Sequence, residues 1–319
     1  MNEKHIAAID IGTNSFHLLI AKVNANSFQT IHHERAVLRL RENDFTNFKI
    51  SDDKIKEASA LLKQFSGICN KYGAEVNAVA TSALRDSENR EEVCARILND
   101  TGIKIKILSG EEEASLSFKA ALYKKENLDQ HVLVFDLGGG SLELIIGKKD
   151  EIVFKSSLQL GAVRMTNQFF PDLLITEKRI EKCREEIKLL IGNIKKEISD
   201  FDFKECFGIG GTVTSLSWLI EKNVYMREHH FQVLNDYQIS FENFQKVKKI
   251  VLGSKSLEER QKINGLDLKR ADIIPAGVLI IDELFEELNL EKIIAPGYSI
   301  KEGIIIEAIQ SKQLNSAGQ

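Results

Sequence analysis

Apolar residues recur along this chain with two periods, and the alternation between them outlines its elements. Ile6 to Ile11 is an apolar, β-prone run holding one acid, Asp10; Gly12-Thr13-Asn14-Ser15 turns it, and Phe16 to Val23 returns. A third strand is predicted from about Phe28 to Leu40. Ser51-Asp-Asp-Lys54 then caps a helix whose apolar positions (Ile55, Ala58, Leu61, Leu62, Phe65, Ile68) have helical spacing and which Gly73 closes. A strand over Glu75 to Ala80, a helix over Asn89 to Thr101, a strand over Lys104 to Leu108 and a helix opening at Ser109 complete the half: β-β-β-α-β-α-β-α.

The second half repeats this order with extra helices. Val132 to Phe135 is a buried strand ended by Asp136, Gly138-Gly139-Gly140 makes the turn, and Leu142 to Ile146 returns around Glu143. A strand over Ile152 to Leu160 leads through Gly161-Ala-Val-Arg164 into a helix. The pattern then predicts a charge-laced helix from Ile175 to Ile198, softly broken at Gly192, and a strand-to-glycine turn at Phe207-Gly-Ile-Gly-Gly-Thr212 that opens a helix. Residues from Lys222 to Leu266 read as mostly helical. A long apolar helix over Arg270 to Leu288 is predicted to kink at Pro275. A strand at Lys292 to Ala295 and a helix from Ile300 to Ile309 end the chain.

The two hairpins are related. Asp10-Ile-Gly-Thr-Asn-Ser-Phe-His-Leu-Leu-Ile-Ala-Lys22 aligns without gaps on Asp136-Leu-Gly-Gly-Gly-Ser-Leu-Glu-Leu-Ile-Ile-Gly-Lys148, an offset of 136 − 10 = 126 residues. One glycine turn is ordinary turn chemistry; its recurrence predicts a duplicated α/β domain. The expected arrangement is two such hairpins facing one another, with the ligand in the cleft between two sheets.

Charge and composition narrow the classes. The chain has 319 residues, 43% hydrophobic and 28% charged, with a formal net charge of −4. That is enough for two cores and supplies no global basic field for nucleic acid. Any polyanion site must be local. The four cysteines (Cys69, Cys94, Cys183, Cys206) form no C-x-x-C pair, which points to reduced thiols in a cytoplasm rather than to zinc. No stretch is apolar enough for a membrane span, and a strand so near the start predicts no signal peptide. His229 and His230 lack partners at ligand spacing and are expected on the surface.

The chemistry sits at the turns. Backbone N–H groups of Gly138 to Gly140, with the Ser141 hydroxyl, suit a phosphate, whereas Asp136 and Glu143 suit a divalent cation. The third strand carries His32, His33, Arg35 and Arg39, with Arg41 following. It is either a charged edge strand or a set of groups reaching a phosphate-rich ligand. Thr81 to Asp86 lies at the C-terminal end of a strand, where α/β sheets place ligands, so Arg85 is a candidate phosphate clamp or a surface partner of Asp86. Arg164 is a further phosphate candidate. In Ser109-Gly-Glu-Glu-Glu-Ala114 the helix dipole accounts for Glu111 and Glu112; Glu113, if it faces the cleft, is placed to take a proton from an attacking water. The turn at Gly208 to Thr212 offers a helix N-terminus to an anion or nucleotide.

Six stretches in order resemble one family: Asp10-Ile-Gly-Thr-Asn-Ser15, Ala80-Thr-Ser-Ala-Leu-Arg85, Ser109-Gly-Glu-Glu-Glu-Ala114, Asp136-Leu-Gly-Gly-Gly-Ser-Leu-Glu143, Gly208-Ile-Gly-Gly-Thr212 and Arg270-Ala-Asp-Ile-Ile-Pro-Ala-Gly277. The chain looks like a short, two-domain exopolyphosphatase / guanosine pentaphosphate phosphohydrolase (Ppx/GppA) protein. The resemblance implies an α/β fold of two ribonuclease-H-like domains of the actin/hexokinase/acetate-kinase superfamily, with an interdomain cleft. Domain I would be residues 1–125 plus about 299–319, because the last helix crosses back, and domain II residues 126–298. It implies hydrolysis of a terminal phosphoanhydride of inorganic polyphosphate or pppGpp with Mg2+ or another divalent cation. By motif match Glu113 would be the base, Arg85 the clamp, and Asp136 and Glu143, with Asp10, the metal ligands. Asn14, Ser15, Gly138, Gly139, Gly140 and Ser141 would hold phosphates.

The chain departs from the family pattern at Lys301, where arginine is usual, and at Arg41 in Leu40-Arg41-Glu42, where glycine is usual. It also stops after the two domains, without the C-terminal region of longer relatives, which predicts weak processivity on long polyphosphate. Two other classes fit the same motifs: an ATP-dependent small-molecule kinase, and an alarmone- or polyphosphate-binding regulator without turnover. A homodimer is left open.

Overall fold

The structure, a computed structural model, describes residues 4–25, 27–41, 48–125, 128–149, 151–227 and 234–317, the last six by backbone alone. The chain divides into two compact units, Met1–Ala120 with Ile300–Gln319, and Ala121–Ser299.

In the first unit the alternating apolar runs make an antiparallel meander: β1 (Lys4–Ile11), β2 (Ser15–Val23) and β3 (Phe28–Val37). After it come α1 (Asp52–Lys71), β4 (Glu75–Ala80), the single turn α2 (Ser82–Arg85), α3 (Arg90–Thr101), β5 (Ile105–Ile107) and α4 (Gly110–Ala121). The strand order is β3-β2-β1-β4-β5, with β4 and β5 parallel to β1. The strand period of two sorts side chains to opposite faces. Ala7, Ile9 and Ile11 pack with Phe16 and Leu18 against Ile55, Leu62 and Phe65 of α1. Ile6, Ala8 and Leu19 face Leu116 of α4 and Ile300, Ile304 and Ile305 of the final helix (Ile300–Ala317).

The second unit opens with β6 (Val132–Leu137), β7 (Leu142–Lys148) and β8 (Glu151–Leu158), then α5 (Ala162–Phe169) and α6 (Glu177–Glu197). It continues with β9 (Glu205–Ile209), α7 (Gly211–Asn223), β10 (Tyr237–Ser240), α8 (Phe241–Gly253), α9 (Leu257–Arg260), α10 (Ile274–Glu287) and β11 (Lys292–Ala295). The chain ends on α11, the final helix already described. The sheet order is β10-β11-β9-β6-β7-β8. Without β10, β8-β7-β6-β9-β11 repeats β3-β2-β1-β4-β5 strand for strand, with the same antiparallel meander and the same parallel continuation. This is a ribonuclease-H-like sheet made twice.

Several elements differ from the pattern-based expectation, each for a local reason. β3 stops at Val37 because the Leu38 and Arg39 N–H groups turn to donate to Asn14 O, at 3.2 and 3.1 Å. β6 runs through Asp136 to Leu137. Helix α6 passes Gly192 without a break: its buried stripe (Ile180, Cys183, Ile187, Ile191, Ile194) outweighs the ~1 kcal/mol cost of one helical glycine. Pro275 does not kink α10 but starts it, since proline at the first turn lacks only an N–H that has no partner there. Strand β10 was concealed in a region read as helical; it has four residues and its pairing with β11 is long-range. His229 and His230 lie outside the described residues.

The cysteines are free thiols; burial pushes Cys69 up to about 11 and Cys183 up to about 12. No helix among the described residues is long and apolar enough to cross a membrane.

One buried cation organises the helical layer. Arg260 is fully buried and donates to four carbonyls, Ala271 O and Leu173 O at 2.7 Å, Ser254 O at 3.1 Å and Lys255 O at 3.2 Å. Replacing it strands those acceptors. Arg260→Ala is expected to lower the unfolding free energy by about 3 kcal/mol or more in urea titration, since each buried unsatisfied group costs about 1–3 kcal/mol. A loss below about 1 kcal/mol would mean that water replaces the guanidinium.

Candidate active site

The glycine turn of the second unit is fixed from behind. Gly138 N donates to Ser141 O (3.0 Å), closing the hairpin tip, just as Gly12 N donates to Ser15 O (3.1 Å) in the first unit. The carbonyls of the turn are then taken by the start of α5. Ala162 N donates to Gly138 O (3.1 Å), and Val163 N and Arg164 N to Gly139 O (2.8 and 3.0 Å). Arg164 Nε donates to Gly140 O (2.8 Å). All peptide bonds among the described residues are trans, and in a trans peptide N–H and C=O point opposite ways. Tying down these three carbonyls therefore turns the N–H groups of Gly139, Gly140 and Ser141 away from α5, as a row of donors for an anion. Arg164 thus supports the turn, with Gln159 as a second partner.

Gly161 makes the close approach possible: a β-carbon there would stand 2.5 Å from Gly139 C and Gly140 N. Gly210, at φ +104°, lies against the other side, where a β-carbon would collide with the Leu137 carbonyl and stand 3.3 Å from Asp136 Oδ1.

The two acids of this hairpin are brought together. Asp136 pairs with Glu143 across β6 and β7, and Glu143 pairs with Ser157 of β8. Directly opposed residues share a face, with β-carbons about 4.5–5.5 Å apart. Glu143 has 0% exposure, and Asp136 is buried at its side. Neighbouring carboxylates repel, and a divalent cation removes that cost. Among the described residues no three His, Cys, Asp or Glu side chains gather into a complete cage. Two carboxylates fit magnesium, which takes one or two from protein and the rest from water and phosphate.

The same row in the first unit has different chemistry. Asp10 pairs with His17, and His17 with Arg35, so the positions of Glu143 and Ser157 hold an imidazole and a guanidinium. His17 Nε2 lies 3.1 Å from Ser15 Oγ, and its ring stacks on that of His33 at 6.0 Å. Burial, then Lys301, lowers the His33 pKa below its ordinary value. At the hairpin tip Thr13 Oγ1 lies 2.9 Å from Ser82 Oγ, tying the tip to α2. Asn14 is only 7% exposed, and neither polar atom of its amide has a partner among the described residues. A buried amide without partners is uncommon in a folded protein, and a ligand or a water could satisfy it.

Helix α4 separates its three glutamates by role. Glu112 completes a capping box: Ser109 N donates to its Oε2 (2.9 Å) and Glu112 N to Ser109 Oγ (3.1 Å). The Lys106 ammonium and the Ser109 N–H hold the Glu112 carboxyl below the usual range. Glu111 is exposed. Glu113 is buried, and Arg85 Nη1 donates to its Oε2 at 2.6 Å and to Leu108 O at 3.2 Å. The two residues named as base and clamp are thus partners. Asp86 lies 3.9 Å from Arg85 Nε and 3.8 Å from Arg41 Nη1, and Arg41 stacks over Phe48 at 4.1 Å. Positive and negative groups alternate from Arg41 through Asp86 and Arg85 to Glu113. The structure places β3 at the sheet edge, so its charges serve partly as edge protection, while Arg35 joins the Asp10 row.

Sequence inspection overlooked Ser157, Thr13 and Ser82 in this setting, whereas the pairing of Arg85 with Asp86 was one of its two readings of Arg85. Serines and threonines carry no spacing signal; only strand register brings Ser157 to Glu143.

Duplicated ribonuclease-H-like sheets, each with an acid-bearing hairpin and a donor-rich tip, define a two-unit α/β protein. Within that class the chain belongs to the Ppx/GppA phosphatase family, whose model matches residues 19–312. It is 32% identical to a bifunctional 3-dehydroquinate synthase/phosphatase of Fusobacterium nucleatum over 96% of this chain, and it spans 47% of that protein's length. An exopolyphosphatase from Cytophaga hutchinsonii superposes with a TM-score of 0.89 at 26% identity, covering 97% of this chain and 98% of that one. The Aquifex aeolicus family member gives 0.80 at 26% identity, with the same coverage of each chain.

Proposed function

We propose that the protein removes the terminal phosphate of inorganic polyphosphate, of pppGpp or of both, by attack of water on a phosphoanhydride. The observation that supports this most directly is Glu113, a buried carboxylate held by an arginine while its neighbour Glu112 caps the helix. Phosphoryl transfer calls for positioning and charge neutralisation more than for covalent chemistry, and the groups divide accordingly. The N–H row of Gly139, Gly140 and Ser141 and the amide of Asn14, with Ser15, bind phosphate oxygens. Arg85 binds the reacting end. Glu113 accepts the proton of the attacking water as its oxygen bonds to the terminal phosphorus. The bond from that phosphorus to the bridging oxygen breaks, and orthophosphate leaves. Asp136 and Glu143, with Asp10 as a further carboxylate, would hold Mg2+, which when bound supplies neutralisation of phosphate charge. Free, scattered thiols support a cytoplasmic setting.

Orthophosphate release from short polyphosphate, long polyphosphate and pppGpp, each with magnesium and with excess chelator, tests this. Release from at least one substrate, lost with chelator and restored by added magnesium, is expected. No release from any of them would sink the enzymatic assignment; tight calorimetric binding without release would make the protein a regulator.

A further inference from the structure

Glu143 is the most enclosed acid of the site, and a carboxylate with no exposure is costly to keep ionised unless its oxygens are hydrogen-bonded. The Ser157 hydroxyl donates to Glu143 Oε1 at 2.7 Å, the short distance of a charge-assisted bond. Register makes this contact specific. Glu143 and Ser157 are directly opposed on β7 and β8, in the row that continues through Asp136 to Ile209 of β9. A hydroxyl has one proton; given to Oε1, it restrains the rotation of the carboxylate about its own bond. The corresponding row of the first unit has Arg35 in the third place, and a guanidinium there would neutralise the acid. Serine is neutral and orients the acid without adding a charge of its own.

The same stretch of chain holds the phosphate turn. Three residues after β8, Gly161 admits the start of α5, whose N–H groups and Arg164 tie the carbonyls of Gly138, Gly139 and Gly140. One segment, 157–164, therefore stands behind both the carboxylate and the donor row.

We propose that Ser157 is a positioning residue that orients Glu143 for a divalent cation. This rests on the assignment of Asp136 and Glu143 as metal ligands. Partners of metal ligands typically contribute about 10–100-fold in affinity or activity.

The test is Mn2+ and Mg2+ titration of the full chain by calorimetry, with Mn2+ followed also by electron paramagnetic resonance. The proteins are wild type, Ser157→Ala, Ser157→Thr and Glu143→Gln, with thermal unfolding of each. Expected are metal binding by wild type, its loss in Glu143→Gln, a roughly 10–100-fold weaker dissociation constant in Ser157→Ala, and recovery in Ser157→Thr, which keeps the hydroxyl on a strand-favouring residue. Wild-type affinity in Ser157→Ala, with binding still lost in Glu143→Gln, overturns the role of Ser157 and leaves the metal assignment standing. Equal binding by Glu143→Gln and wild type overturns the metal assignment at Glu143, and the proposal with it. Weakening in both serine variants at unchanged unfolding temperature also counts against it, because the hydroxyl would then not be the operative group.

Discussion

Glu113→Gln is expected to reduce turnover by about 10²–10⁴, the usual worth of a positioned general base, with little change in folding or in KM. The side chain is buried on α4, and its Oε2 accepts from Arg85 Nη1 at 2.6 Å. An amide retains the shape and an oxygen for that bond, so the local structure has no reason to collapse. What it loses is the capacity to take a proton. Arg85 has two calls on it, the Glu113 carboxylate and, in the proposed reaction, the phosphate. Steady-state kinetics with polyphosphate or pppGpp, beside a thermal melt, checks this. A variant with near-wild-type turnover and an unchanged melt would reduce Glu113 to a helix-dipole residue like its neighbour Glu112.

Gly161→Ala is expected to lower kcat/KM by about 10²–10³, comparable to losing a preorganised oxyanion donor. The group is far smaller than the effect. A single methyl would lie 2.5 Å from Gly139 C and Gly140 N. Those are backbone atoms, so no flexible side chain can swing aside; either the glycine turn or the start of α5 must shift. Either shift breaks the bonds from Ala162, Val163 and Arg164 to the turn carbonyls and disperses the N–H row. Overpacking of this kind costs about 1–3 kcal/mol, so the melt should fall modestly while activity falls steeply. Kinetics together with circular dichroism separate the two. Unimpaired turnover would show that the donor row is not used.

The hairpins were legible because their signal is local: an apolar run, an acid, glycines and a second apolar run, repeated 126 residues on. Glu113 was separable from Glu111 and Glu112 only as a conditional, since three adjacent glutamates at a helix start look alike until α4 is packed. The kink predicted at Pro275 and the break at Gly192 were absent for opposite reasons. Pro275 opens the helix, while at Gly192 a long-range apolar stripe outweighs a local penalty. Residue type in a linear window carries no information about which of these will hold.

By itself, then, the sequence determined the duplication, the donor-rich turns and the kinds of side chain available for phosphate and metal, because strand alternation and turn chemistry act between near neighbours. Tertiary structure alone decided which of those side chains meet. Arg85 reaches Glu113 over 28 residues, Ser157 reaches Glu143 through cross-strand register, and Gly161 lets α5 clamp the glycine turn. Each is a pairing between segments whose separation along the chain is set by folding the sheet, and a pattern read along the chain holds no term for it.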